Sequence, residues 1–328
     1  MMEVIRWGIL GLGNIAHKFA SDLLKVNGCK LYGVASSREQ TAEKFAKKFN
    51  VKKFYNNYQK LILDKEIDII YIASLNQDHY KYSIAVLSNK KAVLCEKPLA
   101  INKNQVQNLI KCSKENKSFL MEALWTRFNP TFKQLLSWLK DDMIGPIRYI
   151  NASFSFNGLK RSIDSRLFNP HKAGGSLLDI GIYPLFLAYL VLGMPKDIKS
   201  NAIKTTSGVD KQMGILLSYG NAHAVLYSSF SHNEQMIARI CGEKGEIYID
   251  SRWHESPSLT LVRGEKRLKS NFNFNGKGYS YEIEEANECL RKGYLQSPLW
   301  TQKNSLDLVI LMDEIREQNK ISYPMENT

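Results

Sequence analysis

CEKPLA, residues 95–100, closes the apolar run Ala92–Leu94 with a thiol, an acid, an amine and a proline in a row. An acid beside an amine can hold and move a proton, and proline fixes the turn that aims them. Asp179 and Tyr183, in SLLDIGIYPL, are a second pair with proton chemistry. Four residues apart on a helix, they share one face. An acid in so apolar a stretch is costly without a partner, and Lys97 or the hydroxyls of a substrate are natural ones. The plainer alternatives are a strand-end salt bridge at Glu96–Lys97, and a capping or core-paired Asp179 beside a packing Tyr183.

A third group suits a nucleotide. Gly11-Leu12-Gly13-Asn14-Ile15-Ala16 reads GxGxxA directly after the strand-like run VIRWGIL. Glycines there permit a tight turn and close approach of backbone to a pyrophosphate, whose charge a helix N-terminus favours. Gly11, Gly13, Asn14 and Ile15 are therefore cofactor-binding candidates. The run KLYGVA ends in Ser36-Ser37-Arg38, where an NAD site usually has an acid for the ribose 2′-hydroxyl. A hydroxyl and a guanidinium suit a 2′-phosphate, so Ser37 and Arg38 favour NADP(H), with NAD(H) left open. Arg38 could equally be a solvated helix-start residue. DIIYIA is followed by Ser74-Leu75-Asn76-Gln77-Asp78-His79. Ligands bind beyond the carboxyl ends of parallel strands, so this loop and CEKPLA should face one crevice. Ser74, Leu75, Asn76 and His79 join the candidates, although His79 taken alone is an ordinary helix-start histidine.

The elements that must position these groups follow from periodicity. The first ~120 residues alternate short apolar runs with amphipathic stretches, the pattern of parallel β/α units. Strands are predicted at VIRWGIL (4–10), KLYGVA (30–35), DIIYIA (68–73), AVLCE (92–96) and SFLME (118–122), with helices over 39–49 and 102–115. From Ile147 the runs RYINASFSF, GILLSY, AHAVLYSSF, ARICG and EIYID alternate as antiparallel strands do. SLLDIGIYPLFLAYLVLG reads as a buried helix, and YSYEIEEANECLRKG and TQKNSLDLVILMDEIREQ as two amphipathic ones. The fold class is α/β: a Rossmann doubly wound parallel sheet over 1–123, then an α+β domain with a large, mostly antiparallel open sheet over 124–328. The C-terminal helix is free to pack back on the first domain.

Composition narrows the function. A chain of 328 residues is comfortable for two domains. Its 44% apolar content is that of a globular protein. Runs of the roughly 18 residues that a membrane span needs are not expected. The N-terminus enters a strand-like run without a cleavage signal. Five cysteines without paired spacing argue for reduced thiols in a cytoplasm, and against disulfides or any metal site. The net charge of +13 is spread over many segments without a basic tail, which fits an anionic small ligand better than nucleic acid.

GxGxxA, SLNQDHY and EKP together resemble the glucose–fructose oxidoreductase/inositol dehydrogenase (Gfo/Idh/MocA) family, over nearly the whole chain. MEALWTRFNP (121–130) and AGGSLLDIGIYPL (173–185) look like its dihydrodiol dehydrogenase branch. That branch uses NADP and oxidises trans-dihydrodiols and some pyranoses, or reduces dicarbonyls in reverse. The resemblance implies a cis bond at Pro98, a Glu96 that helps place the nicotinamide ribose, and a Lys97 aimed at the reacting oxygen. It also implies that Trp125 and Arg127 line the nicotinamide side. Arg148, Phe154, Phe156, Trp253 and Tyr279 are candidate substrate walls. Many relatives have histidine where Tyr183 stands and a polar residue where Pro184 stands, which argues against inositol-type polyols.

The expectation is thus an NADP-dependent oxidoreductase moving a hydride between nicotinamide and a CH–OH or C=O carbon of a small diol, dicarbonyl or sugar-like substrate. Tyr183 would act as general acid/base. A tyrosine pKa near 10 needs a nearby cation to lower it, and Lys97 can supply one. The alternatives are a reductase of anhydro-ketoses or nucleotide sugars, and a catalytically silent nucleotide sensor. One sheet face left uncovered would make a homodimer or a dimer of dimers. No membrane or nucleic-acid partner is expected.

Overall fold

The computed structural model describes residues 4–327. The chain divides into two compact units, one of residues up to Phe128 plus Phe274–Leu306, the other of Asn129–Asn273 plus the residues from Asp307 on. The sequence predicts a single boundary after residue 123. The return of 274–306 to the first unit lies outside that scheme.

In the first unit, β1 (Ile5–Leu10), β2 (Cys29–Ala35), β3 (Lys53–Tyr55), β4 (Ile69–Ile72), β5 (Ala92–Glu96) and β6 (Leu120–Ala123) form a parallel sheet. Helices α1 (Asn14–Leu23), α2 (Glu39–Phe49), α3 (Tyr58–Leu63), α4 (His79–Ser88) and α5 (Lys103–Glu115) alternate with the strands. The strand order β3-β2-β1-β4-β5-β6 puts the reversal of winding between β1 and β4, where such sheets open a ligand crevice. Strands β4 and β5 are buried at every residue, as a sheet covered on both faces requires. Asn102 starts α5 by accepting the Gln105 N–H at 2.9 Å, which satisfies one of the orphan donors of the first turn.

The second unit holds α6 (Pro130–Lys140), β7 (Ile147–Ser155), α7 (Ile182–Leu192) and β8 (Asp197–Lys204). It continues with β9 (Asp210–Ser218), β10 (His223–Ser229), β11 (Ala238–Gly242), β12 (Glu246–Ile249), β13 (Ser258–Arg263) and β14 (Lys266–Asn271). The eight strands run in the order β14-β13-β12-β11-β7-β10-β9-β8. All pairs are antiparallel except β7–β10. Register explains the core. One row across the sheet reads Ile198, Leu217, Ala224, Ile150, Ile240, Ile247 and Leu261, all buried. The next row reads Lys199, Leu216, Val225, Asn151, Arg239, Tyr248, Thr260 and Lys269, none of them buried. Each buried Ile or Leu of the inner row stabilises the unit by roughly 1.5–3 kcal/mol.

The stretch Pro170–Leu192 is long and apolar enough to cross a bilayer, with mean hydropathy 1.7, which corrects the expectation that no run approaches that length. It is nevertheless 78% buried inside the protein, as a core helix is. The chain then supplies α8 (Ser280–Arg291) to the first unit, and α9 (Gln302–Gln318) follows.

Candidate active-site residues in the two units

The register of the parallel sheet brings the first unit's candidates to one edge. Leu10, Ile72, Cys95 and Glu122 form a row across β1, β4, β5 and β6. One step further toward the carboxyl ends stand Gly11, Ala73, Glu96 and Ala123. At Gly11 φ is +88°, and a Cβ would come within 2.7 Å of the Ala73 carbonyl, so only glycine fits. Gly13 opens α1 in extended conformation, with no side-chain cap, no acid in the first turn, and open space where a Cβ would be. Those free N–H groups suit a diphosphate, and the residues present fit a dinucleotide cofactor. Asn14 is exposed and Ile15 half-buried beside them. Ser36 is buried, and its hydroxyl accepts the Arg38 N–H at 3.2 Å, leaving the Ser37 and Arg38 side chains exposed at the end of β2. No acid occupies the position that an NAD site uses for the ribose hydroxyl.

The CEKPLA turn is held from below by buried side chains. The Lys97–Pro98 bond is cis. Tyr71 donates its hydroxyl to Glu96 Oε1, and the Glu96 carboxylate also accepts the Lys97 N–H. His79 Nδ1 meets the Pro98 carbonyl at 2.7 Å, and Glu122 Oε1 accepts the Leu99 N–H at 2.9 Å. Glu122 Oε2 in turn accepts the indole N–H of Trp300 at 3.1 Å. Burial raises both Glu96 and Glu122 above the usual carboxylate range, and their hydrogen-bond donors pull them back. Lys97 itself is half-buried, while Cys95 is buried, and burial pushes its thiol up, away from the reactive thiolate.

Two of the expected cofactor-binding residues, His79 and Arg127, hydrogen-bond backbone carbonyls. His79 is buried, and its Nε2 lies 3.3 Å from the Ser74 carbonyl, so the ring clamps the 74–79 loop to the Pro98 turn. Burial lowers its pKa to about 4, against the pull of the two carbonyls, so the ring is neutral. The short contact then takes the proton on Nδ1. Arg127 is buried and donates its Nε–H to the Leu299 carbonyl at 2.9 Å. Trp125 is buried too, and stacks on Tyr279 with centroids 4.8 Å apart, which places Tyr279 in the first unit. Ser74, Leu75 and Asn76 form the loop's partly open start.

In the second unit, Asp179 lies in a π-helical turn, Leu177–Gly181, that runs into α7. The expected regular α-helical spacing from Asp179 to Tyr183 is therefore corrected. Pro184 has no N–H to give Ile180, and the widened turn stands just before it. Asp210, fully buried, starts the turn by accepting the Ser176 hydroxyl at 2.6 Å and the Leu177 N–H at 2.7 Å. A Cβ on Gly175, at φ +118°, would collide with that carboxylate. Asp179 pairs with Arg166 at 3.0 Å, a half-exposed guanidinium that the sequence did not single out. Tyr183 is buried among aromatic rings. Its ring centroid is 5.5 Å from that of Phe154 and 5.2 Å from that of His254, and Phe154 and His254 stack at 4.2 Å. His254 carries no signal in the sequence, where its neighbour in SRWHESPS is the candidate instead. That neighbour, Trp253, is fully buried and donates to the Ser153 carbonyl at 2.8 Å, so it is core rather than substrate wall. Arg148 is bound to Glu243 on the sheet, and Phe156 packs on Phe230.

Both halves of the chain are similar to known proteins. Residues 5–124 match the family described as "Oxidoreductase family, NAD-binding Rossmann fold", and residues 132–248 match "GFO/IDH/MocA C-terminal domain". The trans-1,2-dihydrobenzene-1,2-diol dehydrogenase of Xenopus tropicalis is 34% identical over 97% of this chain and 99% of its own. Among solved structures, an aldose–aldose oxidoreductase from Caulobacter crescentus superposes with TM-score 0.88 at 21% identity, covering 97% of this chain and 98% of that one. A 3-ketoreductase from Actinomadura kijaniata, solved with NADP and TDP-benzene, gives 0.86 at 22% identity, covering 96% and 98%. With both halves matched in order and the glycine and EKP turns in place, the chain belongs to the Gfo/Idh/MocA family of oxidoreductases.

Proposed function

We propose that this protein is an NADP(H)-dependent oxidoreductase acting on a CH–OH or C=O carbon of a small diol, dicarbonyl or sugar-like substrate. The observation that carries the reading is the carboxyl edge of the parallel sheet, where the open start of α1 stands at the reversal of winding and the Lys97 turn follows β5, the neighbour of β4. Full-length similarity to dihydrodiol dehydrogenases supports the diol class. A bound nicotinamide cofactor supplies or takes up the hydride. The first N–H groups of α1 hold its diphosphate, Ser37 and Arg38 the 2′-phosphate, and Ser74, Leu75, Asn76 and Glu96 the nicotinamide half. Tyr183 gives the phenol proton to the substrate oxygen during reduction and takes it back during oxidation. The Lys97 ammonium stabilises the negative charge that develops on that oxygen. Asp179, braced by Arg166, accepts a substrate hydroxyl, and Phe154 with His254 keeps Tyr183 in one rotamer. The free cysteines support a reducing cytoplasm, and the mixed outer row of the large sheet supports a homodimer or a dimer of dimers.

A turnover screen following NADPH absorbance over diols, pyranoses and dicarbonyls tests the reading. Lys97→Met and Tyr183→Phe should each lower kcat by roughly 10²–10⁴ with cofactor affinity nearly kept. The double change should cost little more than the worse single one. Near-normal turnover in a well-folded Lys97→Met protein removes the lysine from the reaction.

A further inference from the structure

Beneath the Lys97 turn stands a hydroxyl that the chemistry above does not use. Tyr71, in β4, is fully buried, and its neighbours in register, Ile9 and Leu94, are apolar. Phenylalanine would fill that space as well, and a buried hydroxyl costs free energy unless it is bonded, so packing does not account for the tyrosine. Its ring lies flat on Phe19 of α1, with centroids 3.7 Å apart and planes 9° apart. Its hydroxyl donates to Glu96, whose carboxylate receives the Lys97 N–H. A continuous line of contacts thus runs from the helix that opens at the glycine turn, through Tyr71 and Glu96, to the backbone of Lys97. The surroundings make that bond consequential. Glu282, in the first turn of α8, is fully buried with both oxygens lacking a hydrogen-bond partner, and burial together with the nearby Glu96 charge raises it well above the usual carboxylate range. Without the phenol, Glu96 would face that acid with one hydrogen bond fewer, and its rotamer would be free to change.

We propose that Tyr71 is a positioning residue for Lys97. Its hydroxyl holds Glu96 in the rotamer that receives the Lys97 N–H, and so sets the direction in which the lysine side chain leaves the turn. The proposal rests on the reading of Lys97 as the charge-stabilising group.

The test is Tyr71→Phe, made alone and in a Lys97→Met background, with thermal unfolding and NADPH affinity measured on each protein. Alone, it should lower kcat about 10- to 100-fold, the scale of a misplaced catalytic group, and by more than it weakens NADPH, whose nicotinamide half Glu96 also holds. In the Lys97→Met background it should change kcat less than about 2-fold, because a residue acting through another is silent once that other is gone. Equal losses in both backgrounds overturn the proposal and make Tyr71 a residue of the fold. A second readout needs no turnover. In carbon-13 lysine NMR, with Lys97 assigned by its loss in Lys97→Met, the Lys97 Cε resonance should move in Tyr71→Phe and stay put in Tyr294→Phe, an exposed control. An unmoved resonance overturns the proposal whatever the substrate. A moved resonance in a protein that turns over nothing upholds the positioning role and removes the reading of the reaction.

Discussion

At the end of β2 the exposed Arg38 guanidinium can fork onto a phosphate beside the Ser37 hydroxyl, and no acid stands there to favour the ribose 2′-hydroxyl. Arg38→Ala should weaken NADP(H) by about 1.5–3 kcal/mol, roughly 10- to 150-fold, and leave NAD(H) nearly unchanged in a fluorescence titration. Equal loss for both would assign Arg38 to the fold or to the adenine. His79 carries a pH dependence of known sign. Its folded pKa, lowered to about 4, lies below the ordinary value near 6.5. Between those values the unfolded chain binds a proton that the native ring refuses. The stability His79 contributes is therefore full above about pH 6.5 and falls as the pH drops toward 4, by on the order of 3 kcal/mol. Urea titrations at about pH 7.5 and 4.5 check this, and His79→Gln should lose less than the parent does between the two.

At the scale of elements, the widened turn Leu177–Gly181 depends on a carboxylate from another strand. Asp210→Ala removes the acceptor of two buried donors, and should cost about 2–4 kcal/mol in denaturant unfolding. A loss under about 0.5 kcal/mol would mean that the turn is held otherwise. This turn also shows where sequence reading stops. Asp179 and Tyr183 stand out by residue type, but the α template hides the π-helical turn that runs up to Tyr183, and neither Arg166 nor His254 has a local signal. GxGxxA, EKP and the 39–49 helix were legible because their physics is local: glycine torsions, proline geometry, a 3.6-residue stripe. β3 has only three residues, and β14, KRLKSN, exposes both faces, so neither offers a period to read. Tyr71 and Glu122 were hidden in plain view as apolar-strand residues, since their partners lie 25 and 178 positions away.

For the whole molecule, the outer row of the eight-stranded sheet is the face on which the proposed dimer would form. Leu216, Val225 and Tyr248 there are half-buried or exposed amid polar neighbours, a mixture suited to a wet, reversible interface more than to open solvent. Val225→Glu puts a charge at the row's middle, and light scattering at micromolar concentration should then report monomers where the parent reports dimers. A monomeric parent would remove the proposed interface. The order in which the chain supplies its first unit has a separate consequence, for synthesis and for engineering. The indole of Trp7 is bonded to Asn287, 280 residues later, and Asp22 at the end of α1 accepts the N–H groups of Lys277 and Tyr279 that open α8. On a ribosome the six parallel strands emerge long before those partners exist. The nascent sheet therefore waits through the whole second unit with the surface that α8 covers, Trp7 included, still open to water, a state that invites chaperones. A fragment cut at Phe128 freezes the chain in that state. Cofactor halves exchanged between relatives will consequently behave as modules only when α8 travels with them.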